Sequence, residues 1–461
     1  MSTPLNIVIL AAGKGTRMYS QLPKVLHEIG GRSMLARVIS TAQSLSPERI
    51  CVVVGHGKDL VRQRINADVI WVEQNEQLGT GHAVKTALPH LSPHGRTLVL
   101  YGDVPLTDSQ TLQALLDAAG NEVGLLTDVL AKPTGYGRII RENGRVVAIV
   151  EEKDADAAQK AITETNTGIF VLPNAHLADW LGALQSNNAQ GEYYLTDVIA
   201  LANADGVAVH PQQVRASHLA AGVNNKQQLA ELERIFQREQ AEALLSAGIT
   251  LRDPARFDLR GSLSHGQDVV IDVNVVLEGD VALGDGVEIG ANCVIRNAHI
   301  GAGSRIAPFS HLENCSIGRN GRIGPFARLR PQAQLGDDVH IGNFVEVKNT
   351  IMGTGSKANH LTYLGDAEVG EYSNIGAGTI TCNYDGVNKF KTTIGSHARI
   401  GSGTMLVAPV SVGDKATTGA GSVITKPCPA DKLTLSRSRQ TTIEGWVRPE
   451  KSQNTDKGGK A

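Results

Sequence analysis

The chain has 461 residues, a formal net charge of −2 and a hydrophobic content of 41%. At about 150 residues per domain, this length predicts two or more domains. The balanced charge gives no indication of binding to nucleic acid or to a membrane surface. No stretch approaches about 18 uninterrupted apolar residues, and no charged leader precedes an apolar run. We therefore expect neither a membrane span nor secretion.

The cysteine and glycine contents constrain the class of protein further. The five cysteines are odd in number and lie far apart, at positions 51, 293, 315, 382 and 428, without a CxxC motif. This pattern is typical of reduced thiols in a cytoplasmic protein and favours neither a disulfide framework nor a zinc site. Glycine occurs 50 times while aromatic residues make up only 4%, an excess that requires a structural cause.

Residues 1 to about 226 alternate strand-like and helix-like segments. Apolar runs predict strands at 7–10, 50–54, 69–72, 97–101 and 123–126. Helical patterns lie between them, for example at 34–43 and 82–88. This alternation predicts a mostly parallel sheet that is covered on both faces. Ligands of such sheets bind beyond the carboxyl ends of the strands.

A glycine-rich turn, LAAGKGTRM at 10–18, follows the first predicted strand and brings Lys14 and Arg17, with Lys24 close behind. Glycines let backbone N–H groups approach an anion, and the cations neutralise it. The turn lacks the Lys-Ser/Thr pair of a P-loop and the third glycine of a dinucleotide fingerprint. A turn with merely solvated charges is the alternative, which the spacing to Pro23-Lys24 disfavours. The pattern resembles the signature of sugar-nucleotide pyrophosphorylases.

Asp103 is the best candidate for a magnesium ligand in this half. It follows the strand predicted at 97–101, in the segment YGDVP. Magnesium prefers few protein oxygens together with water and phosphate oxygens, so one carboxylate and one helper suffice. A lone aspartate after a strand is more often a turn former or a helix cap. The neighbouring motifs favour the metal-binding interpretation.

The second half explains the glycine excess. A helical pattern at about 227–247 predicts a linker, and aliphatic residues then recur every six positions, as at Leu277, Leu283 and Ile289. Hexapeptide periodicity of this length predicts a parallel β-helix. The period is blurred at about 352–368 and again at about 379–393. These breaks hold His360 and the segment TCNYDG at 381–386, and irregularities in a solenoid often mark functional loops.

Further motifs stand in order along the first half: PTGYGRI at 133–139, VEEK at 150–153, ETNTG at 164–168, GEYYLTD at 191–197 and GVNN at 222–225. With the glycine turn, the hexapeptide repeats and HLTYLGDAE at 360–368, the chain resembles, over nearly its whole length, the bacterial bifunctional uridylyltransferase/N-acetyltransferases of sugar phosphates. The resemblance implies an α/β fold class: an N-terminal Rossmann-like nucleotidyltransferase domain at 1–226, a helical linker at 227–247, and a C-terminal left-handed parallel β-helix at 248–461 with a disordered tail after about 450.

The resemblance also implies the chemistry. The β-helix would acetylate glucosamine 1-phosphate with acetyl-CoA. The first domain would then transfer UMP from UTP to N-acetylglucosamine 1-phosphate, releasing pyrophosphate with the help of Mg²⁺. The product, UDP-N-acetylglucosamine, would serve peptidoglycan and lipopolysaccharide synthesis. The family is a homotrimer, with the coenzyme site between neighbouring β-helices, and is cytoplasmic.

Each expected role falls on a residue of this sequence. The resemblance implies catalytic roles for Arg17, Lys24 and His360, the last as general base. It implies magnesium binding by Asp103 and Asn224. The residues expected to bind the uridine nucleotide and its sugar are Leu10, Ala11, Ala12, Gly13, Lys24, Gln74, Gly79, Thr80, Tyr101, Gly102, Asp103, Gly137, Glu151, Asn166 and Asn224. Those expected to bind glucosamine 1-phosphate are Arg330, Lys348, Tyr363, Asn374 and Lys389. Those expected to contact acetyl-CoA are Ala377, Asn383, Tyr384, Ser402, Ala420 and Arg437.

Two alternatives stay open at this point. The chain could be a single-function nucleotidyltransferase whose β-helix only assembles or regulates it, although the loops with His360 and Asn383 disfavour this. It could also be a structural or carbohydrate-binding protein, which would leave the phosphate turn and Asp103 without a role.

Overall fold

The computed structural model describes residues 3–451. The tail predicted to be disordered after about 450 lies almost entirely outside this range. The chain divides into two compact units between His299 and Ile300. The domain limits expected at 226 and 247 stay a prediction. No helix among residues 3–451 is both long enough and apolar enough to cross a membrane.

The first 250 residues form a sheet with helices. The strands are β1 (Leu5–Ala11), β2 (Glu28–Ile29), β3 (Arg32–Ser33), β4 (Arg49–Val54), β5 (Ile70–Glu73), β6 (Arg96–Tyr101), β7 (Val123–Val129), β8 (Arg138–Glu142), β9 (Arg145–Val150), β10 (Glu164–Pro173) and β11 (Val209–Gln213). The α-helices are α1 (Met34–Ser44), α2 (Lys58–Arg64), α3 (Thr80–Ala87), α4 (Ser109–Ala119), α5 (Ala157–Lys160), α6 (Asn174–Ala183), α7 (Val198–Ala204) and α8 (Lys226–Ser246).

The sheet has the order β11-β7-β10-β6-β1-β4-β5, and β8 and β9 form a hairpin attached to β10. Strand β10 is antiparallel to β6 and β7, while β1 pairs in parallel with β4 and β6. Ile7 and Ile9 pack on one face of β1 and Val8 and Leu10 on the other, each within an apolar cluster. The continuous apolar run of β1 is therefore what a strand buried on both faces requires.

Helix α8 confirms the long helix expected near 227–247 and ties several segments of the first unit together. Asn225 caps it, its side chain accepting from the backbone N–H of Gln228 at 2.8 Å. The side chain of Gln237 is buried and bonds both backbone groups of Leu259, at 2.7 and 2.9 Å. Leu232 of α8 packs in a small apolar cluster with Met18, which follows the glycine turn.

The hexapeptide repeats form short parallel strands. In the first unit these are β12 (Thr250–Leu251), β13 (Phe257–His265), β14 (Val270–Ile271), β15 (Val275–Leu283) and β16 (Glu288–Ile289), with β17 (Val294–Ile300) at its end. Strand β14 pairs with β12 and β16, and β13 pairs with β15 over nine residues. Strands that pair at intervals of about 18 residues are the successive coils of a parallel β-helix, three hexads each.

The second unit continues the same pattern by itself. Its strands are β18 (Arg305–Ile306), β19 (His311–Ile317), β20 (Arg322–Ile323), β21 (Arg328–Leu329), β22 (Ala333–Leu335), β23 (His340–Asn343), β24 (Glu346–Met352), β25 (Lys357–His360), β26 (Tyr363–Val369), β27 (Asn374–Ile375), β28 (Ile380–Cys382), β29 (Thr392–Ile394), β30 (Arg399–Ile400), β31 (Met405–Val407), β32 (Val410–Val412), β33 (Thr417–Thr418), β34 (Val423–Ile424) and β35 (Leu433–Thr434). Its strands pair in parallel ladders, for example β24 with β26 and β28 with β31.

The prediction of the first break in the repeat, at about 352–368, is wrong. Between about 352 and 368 the six-residue period continues through Met352, Ala358 and Leu364, all buried. Alanine stands at position 358 in place of a larger aliphatic residue, and this conceals the period in the sequence. The second break is present, since 383–391 carry no ladder strand between β28 and β29 apart from an isolated bridge from Tyr384 to Lys389.

Candidate active sites

A cavity of about 340 Å³ lies at the carboxyl ends of β1 and β6. Gly15 has a left-handed backbone, and the short 3₁₀ helix Thr16–Met18 follows it. The turn thus bends back toward the sheet instead of continuing away from β1. The residues lining the cavity are Leu10, Ala12, Gly13, Lys24, Val25, Gln74, Gln77, Gly79, Thr80, Ala83, Tyr101, Asp103 and Glu192. Nine of the residues expected to bind the nucleotide therefore line one cavity.

Two cations, a carboxylate and an amide converge beside this cavity. The ammonium of Lys24 forms an ion pair with Oδ2 of Asp103 and lies 3.3 Å from Oδ1 of Asn224. The same Asn224 oxygen accepts from Arg17 Nη2 at 3.1 Å. The backbone N–H of Asn224 donates to Gln228 Oε1 at 2.7 Å, so the first turn of α8 holds this residue in place. Segments about 200 residues apart thus meet at one point.

The far wall of the cavity is built by the start of α3. Gly79 has φ of +106°, and a Cβ there would lie 2.6 Å from the carbonyl oxygen of Tyr193. The Gln74 side chain, buried at the end of β5, donates from Nε2 to Gly79 O at 3.2 Å. The loop at 191–195 is held against the helix start, since the N–H of Gly81 donates to Tyr193 O at 2.8 Å. Only glycine fits this approach.

Among the residues expected to hold the sugar, Glu151 lies near enough to Tyr101 for its charge to act on that side chain. The Thr196 hydroxyl donates to Glu151 Oε1 at 3.2 Å, and burial raises the pKa of Glu151. Burial also raises the pKa of Tyr101, and the charges of Glu151 and Asp103 raise it further. The backbone N–H of Asn166 donates to Gly137 O at 2.9 Å, which joins β10 to the segment before β8. Asn166 and Gly137 are thus bonded to each other, and Glu151 is held separately by Thr196.

Three residues that sequence reasoning missed contribute to this site. Gln77 Nε2 donates to Ala12 O at 2.9 Å and so fixes the glycine turn. His82 Nδ1 lies 3.0 Å from Gln74 Nε2, and Glu192 lines the cavity. Glu192 belongs to the GEYYLTD motif, and Gln77 and His82 lie in the segment QNEQLGTGH at 74–82, beside the expected residues Gln74, Gly79 and Thr80. Only the folded chain shows which members of each segment face the cavity.

In the second unit, Asp366 lies near Lys348 and Lys389, two of the residues expected to bind glucosamine 1-phosphate. Asn349 Nδ2 donates to Asp366 Oδ1 at 2.6 Å, and Asn383 Nδ2 donates to Oδ2. Burial favours a higher pKa for Asp366, but these two bonds and the charges of Lys348 and Lys389 hold its pKa below the usual value. The adjacent Lys389 is the main cause of the lowered pKa of Lys348.

Of the other residues expected to bind glucosamine 1-phosphate, Arg330 and Tyr363 lie along the ladder of β21, β24 and β26, whereas Asn374 lies on β27 in a different ladder. Tyr363 begins β26 and lies opposite Glu346, the first residue of β24. Arg330 follows β21, and its Nη1 donates to Glu346 Oε1 at 2.8 Å. Two lysines and an arginine therefore share a short stretch of surface, with a tyrosine beside them.

Four of the six residues expected to contact acetyl-CoA stack on successive coils. The other two, Asn383 and Tyr384, lie in the loop at 383–391, where Tyr384 forms an isolated bridge to Lys389. Gly403 N donates to Ala377 O at 2.7 Å, Gly421 N to Ser402 O at 2.8 Å, and Arg437 Nη1 to Ala420 O at 3.0 Å. This column begins at His360, whose carbonyl accepts from Gly378 N at 3.2 Å. Within residues 3–451, no hydrogen bond or ion pair joins Arg330, Lys348, Tyr363 or Lys389 directly to this column.

His360 is exposed at the end of β25. Its Nδ1 lies 2.9 Å from Asn343 Oδ1, a residue on the preceding coil that sequence reasoning missed. Because an amide oxygen only accepts, Nδ1 carries the proton and donates. The other ring nitrogen, Nε2, is thereby left with a lone pair, as a general base requires. Of the expected residues, Asn374 and Tyr384 are exposed, and the Tyr384 hydroxyl donates to Gly386 O at 2.5 Å.

Comparison with family models identifies both halves. Residues 7–167 match the model of the MobA-like NTP transferase domain, and residues 391–426 match bacterial transferase hexapeptide repeats. Residues 259–357 match the model of the GMPPB C-terminal domain. The fold class expected from the sequence is confirmed as a nucleotidyltransferase domain followed by hexapeptide repeats. A chain with these two parts and these two sites is a bifunctional transferase.

Full-length relatives define the family. The chain is 73% identical to the bifunctional protein GlmU of Neisseria meningitidis serogroup B over 450 residues, which cover 97% of this chain and 99% of the relative. Identity is 63% to that of Chromobacterium violaceum and 59% to that of a Janthinobacterium species, at the same coverage. The chain belongs to the family of bifunctional GlmU proteins, which confirms the resemblance seen in the sequence and the prediction of an enzyme.

Proposed function

We propose that this chain performs two consecutive reactions. The hexapeptide domain acetylates glucosamine 1-phosphate with acetyl-CoA, and the first domain transfers UMP from UTP to the resulting N-acetylglucosamine 1-phosphate. The observation that carries the proposal is the convergence of Arg17, Lys24, Asp103 and Asn224 beside a cavity on the chain that also carries the His360 column. Neither a purely structural β-helix nor a single-function nucleotidyltransferase explains both features.

Uridylyl transfer is a displacement at phosphorus. The phosphate oxygen of the sugar substrate attacks the α-phosphorus of UTP, and the bond to the pyrophosphate oxygen breaks. Both reactants are anions, so catalysis consists mainly of charge neutralisation and alignment. The guanidinium of Arg17 and the ammonium of Lys24, which share the oxygen of Asn224, are placed to supply that charge. The chain needs to supply no nucleophile of its own.

The same site fits Mg²⁺. No group of three or more His, Cys, Asp or Glu side chains that could hold a metal occurs within residues 3–451. Magnesium needs no such group when substrate phosphates and water complete its shell. Asp103 would supply a carboxylate oxygen and Asn224 an amide oxygen. In this structure both oxygens contact the Lys24 ammonium. When bound, the ion would neutralise charge on the triphosphate.

The sugar would lie between Glu151, Asn166 and the backbone of Gly137. Thr196 holds one oxygen of the Glu151 carboxylate, leaving the other oxygen to accept from a sugar hydroxyl or amide. The backbone N–H of Gly168 donates to Asn166 Oδ1 at 2.9 Å, which orients this amide. A carboxylate and an amide that are already oriented bind a polar ring at low entropic cost.

Acetyl transfer is the acylation of an amine. The sugar amine would attack the carbonyl carbon of the acetyl thioester, forming the amide bond while the C–S bond breaks and CoA leaves. His360, with its proton on Nδ1 toward Asn343, would take the proton of the attacking amine at Nε2. Arg330, Lys348 and Lys389 would bind the phosphate through their charges. The column of Ala377, Ser402, Ala420 and Arg437 would lie along acetyl-CoA.

Assembly as a homotrimer would unite these two groups of residues, which no direct hydrogen bond or ion pair joins within residues 3–451. A second feature supports it: large apolar side chains are exposed along one corner of the second unit. Phe309, Phe326 and Phe344 stack with ring centroids 5.0 and 5.4 Å apart, and exposed Leu361 follows on the next coil beside His360. Such a patch is typical of a surface that another copy of the chain covers. We expect the protein to act in the cytoplasm.

The proposal is tested by measuring the two reactions separately. We expect CoA release from glucosamine 1-phosphate and acetyl-CoA, and pyrophosphate release from N-acetylglucosamine 1-phosphate and UTP with Mg²⁺. Pyrophosphate release alone would support the single-function alternative. The absence of both CoA and pyrophosphate would refute the proposal. Phe326→Asp, compared with the wild type by light scattering, should reduce the mass from that of a trimer. An unchanged mass would exclude this corner as the contact.

A further inference from the structure

The orientation of the Gln74 side chain amide is fixed from two sides. Gln74 is 4% exposed, and its Nε2 donates to the carbonyl oxygen of Gly79 at 3.2 Å. A carbonyl oxygen can only accept, so the amide atom that faces it must be the NH₂ group. The same Nε2 lies 3.0 Å from His82 Nδ1. Both hydrogens of the amide are therefore used within the protein.

This arrangement also fixes the state of His82. Since Nε2 of Gln74 donates, Nδ1 of His82 must accept, and the ring is neutral with its proton on Nε2. His82 is held in turn by the ordered start of α3, where Thr80 Oγ1 accepts from Leu195 N at 3.1 Å. The hydroxyl of Thr86 donates to His82 O at 2.8 Å. Nδ1 of His82 is therefore held beside the Gln74 side-chain amide by a helix start that is itself fixed by hydrogen bonds.

Because both hydrogens of the Gln74 amide are used, its side chain can contribute only an acceptor, Oε1, to a ligand in the cavity. Within residues 3–451, Oε1 of Gln74 makes no hydrogen bond of its own, and Gln74 lines the nucleotide cavity. An acceptor is the complement of a ring N–H. Uracil carries a hydrogen on N3, whereas N3 of cytosine carries a lone pair. The two bases have nearly the same size and differ at N3 and in the group on C4, so an acceptor that faces N3 favours uracil.

We propose that His82 is a positioning residue that locks the Gln74 amide with Oε1 toward the base, and that this lock selects uracil over cytosine. The inference rests on the proposed function in one respect, namely that the cavity holds the base of UTP. His82 itself need not touch the nucleotide. A Gln74 amide that could rotate freely would offer a donor to cytosine as readily as an acceptor to uracil. The Gly79 carbonyl and His82 Nδ1 together oppose that rotation, and His82 is the partner that a side-chain substitution can remove.

The test compares kcat/KM for UTP with that for CTP at saturating N-acetylglucosamine 1-phosphate. The ratio of the two values does not depend on the fraction of protein that is folded. His82→Leu removes the acceptor at Nδ1 and should lower the ratio about tenfold or more, mainly through a higher KM for UTP. His82→Asn places an amide oxygen near the position of Nδ1 and should restore most of the ratio. Lys85→Ala, exposed on the same helix, is the matched control and should leave the ratio unchanged.

Modified nucleotides probe the atom itself. Wild-type enzyme should reject N3-methyl-UTP, which lacks the hydrogen, and His82→Leu should reject it less strongly relative to UTP. An unchanged UTP/CTP ratio in His82→Leu would refute the inference, as would equal ratios in the Asn and Leu variants. If the wild type releases no pyrophosphate from UTP at all, the proposed function fails instead, so the two failures are distinguishable.

Discussion

Replacing Asp103 by asparagine tests the charge balance of the nucleotide site. The side chains of Lys24 and Asp103 are only 13% and 17% exposed, so water screens their charges poorly. Asp103 places one negative charge beside the positive charges of Arg17 and Lys24, and Asp103→Asn removes the charge that would attract Mg²⁺ while leaving two cations that repel it. One unit charge acting on another at about 4 Å contributes about 4 kcal/mol at an effective dielectric constant of 20. That corresponds to about a thousandfold in rate.

We therefore expect Asp103→Asn to lower kcat/KM for uridylyl transfer about a thousandfold and to raise the Mg²⁺ concentration needed for half-maximal rate. The assay is pyrophosphate release over a Mg²⁺ titration. Acetyl transfer by the same sample should be unchanged, which shows that the protein is folded. Asp68→Asn, an exposed aspartate of the same domain, is the matched control. Wild-type turnover and wild-type Mg²⁺ dependence in Asp103→Asn would refute this assignment.

Three further changes test other parts of the account. His360→Ala should lower acetyl transfer at least about a hundredfold, measured as CoA release, while pyrophosphate release persists; near-normal CoA release would exclude the general-base role. Because the pKa of Glu151 is raised above its ordinary value of 4.5, mainly by burial, this side chain protonates at a higher pH than a free glutamate. The KM for the sugar phosphate should accordingly rise as the pH falls toward 5, and Glu151→Gln should abolish that dependence; a profile identical to the wild type would contradict it. At Gly168, φ is +85° and a Cβ would lie 2.6 Å from Tyr101 Cε2, so Gly168→Ala should displace the tyrosine ring and destabilise the fold by about 1–3 kcal/mol in denaturant unfolding. No change in the midpoint would show that the ring moves freely.

Pronounced periodicity made part of the fold predictable. Strands β1, β4, β6 and β7 and helices α1, α3 and α8 lie within three residues of their predicted limits, because continuous apolar runs and helical spacing leave few alternatives. Strand β10 and the β8–β9 hairpin were not predicted. Strand β10 is interrupted in register between Asn166 and Phe170, and its polar residues conceal the strand pattern.

Site residues that lie within contiguous sequence motifs were predictable, whereas those placed only by long-range contacts were not. Lys24 and Asp103 were expected at one site because the motifs are contiguous and follow strands. The roles of Thr196 and Asn343 depend on contacts to Glu151 and His360 that no local pattern contains. Asn343 precedes His360 by 17 residues, close to one coil of three hexads, so the period itself could have indicated this neighbour.

The central claim is that one chain makes the sugar phosphate that its other site consumes. The most direct measurement is pyrophosphate release with glucosamine 1-phosphate as the sole sugar phosphate, in the presence of UTP and Mg²⁺. The account predicts no release until acetyl-CoA is added, and then release after a lag in which CoA appears first. Pyrophosphate release without acetyl-CoA, or CoA release that no pyrophosphate ever follows, would contradict it.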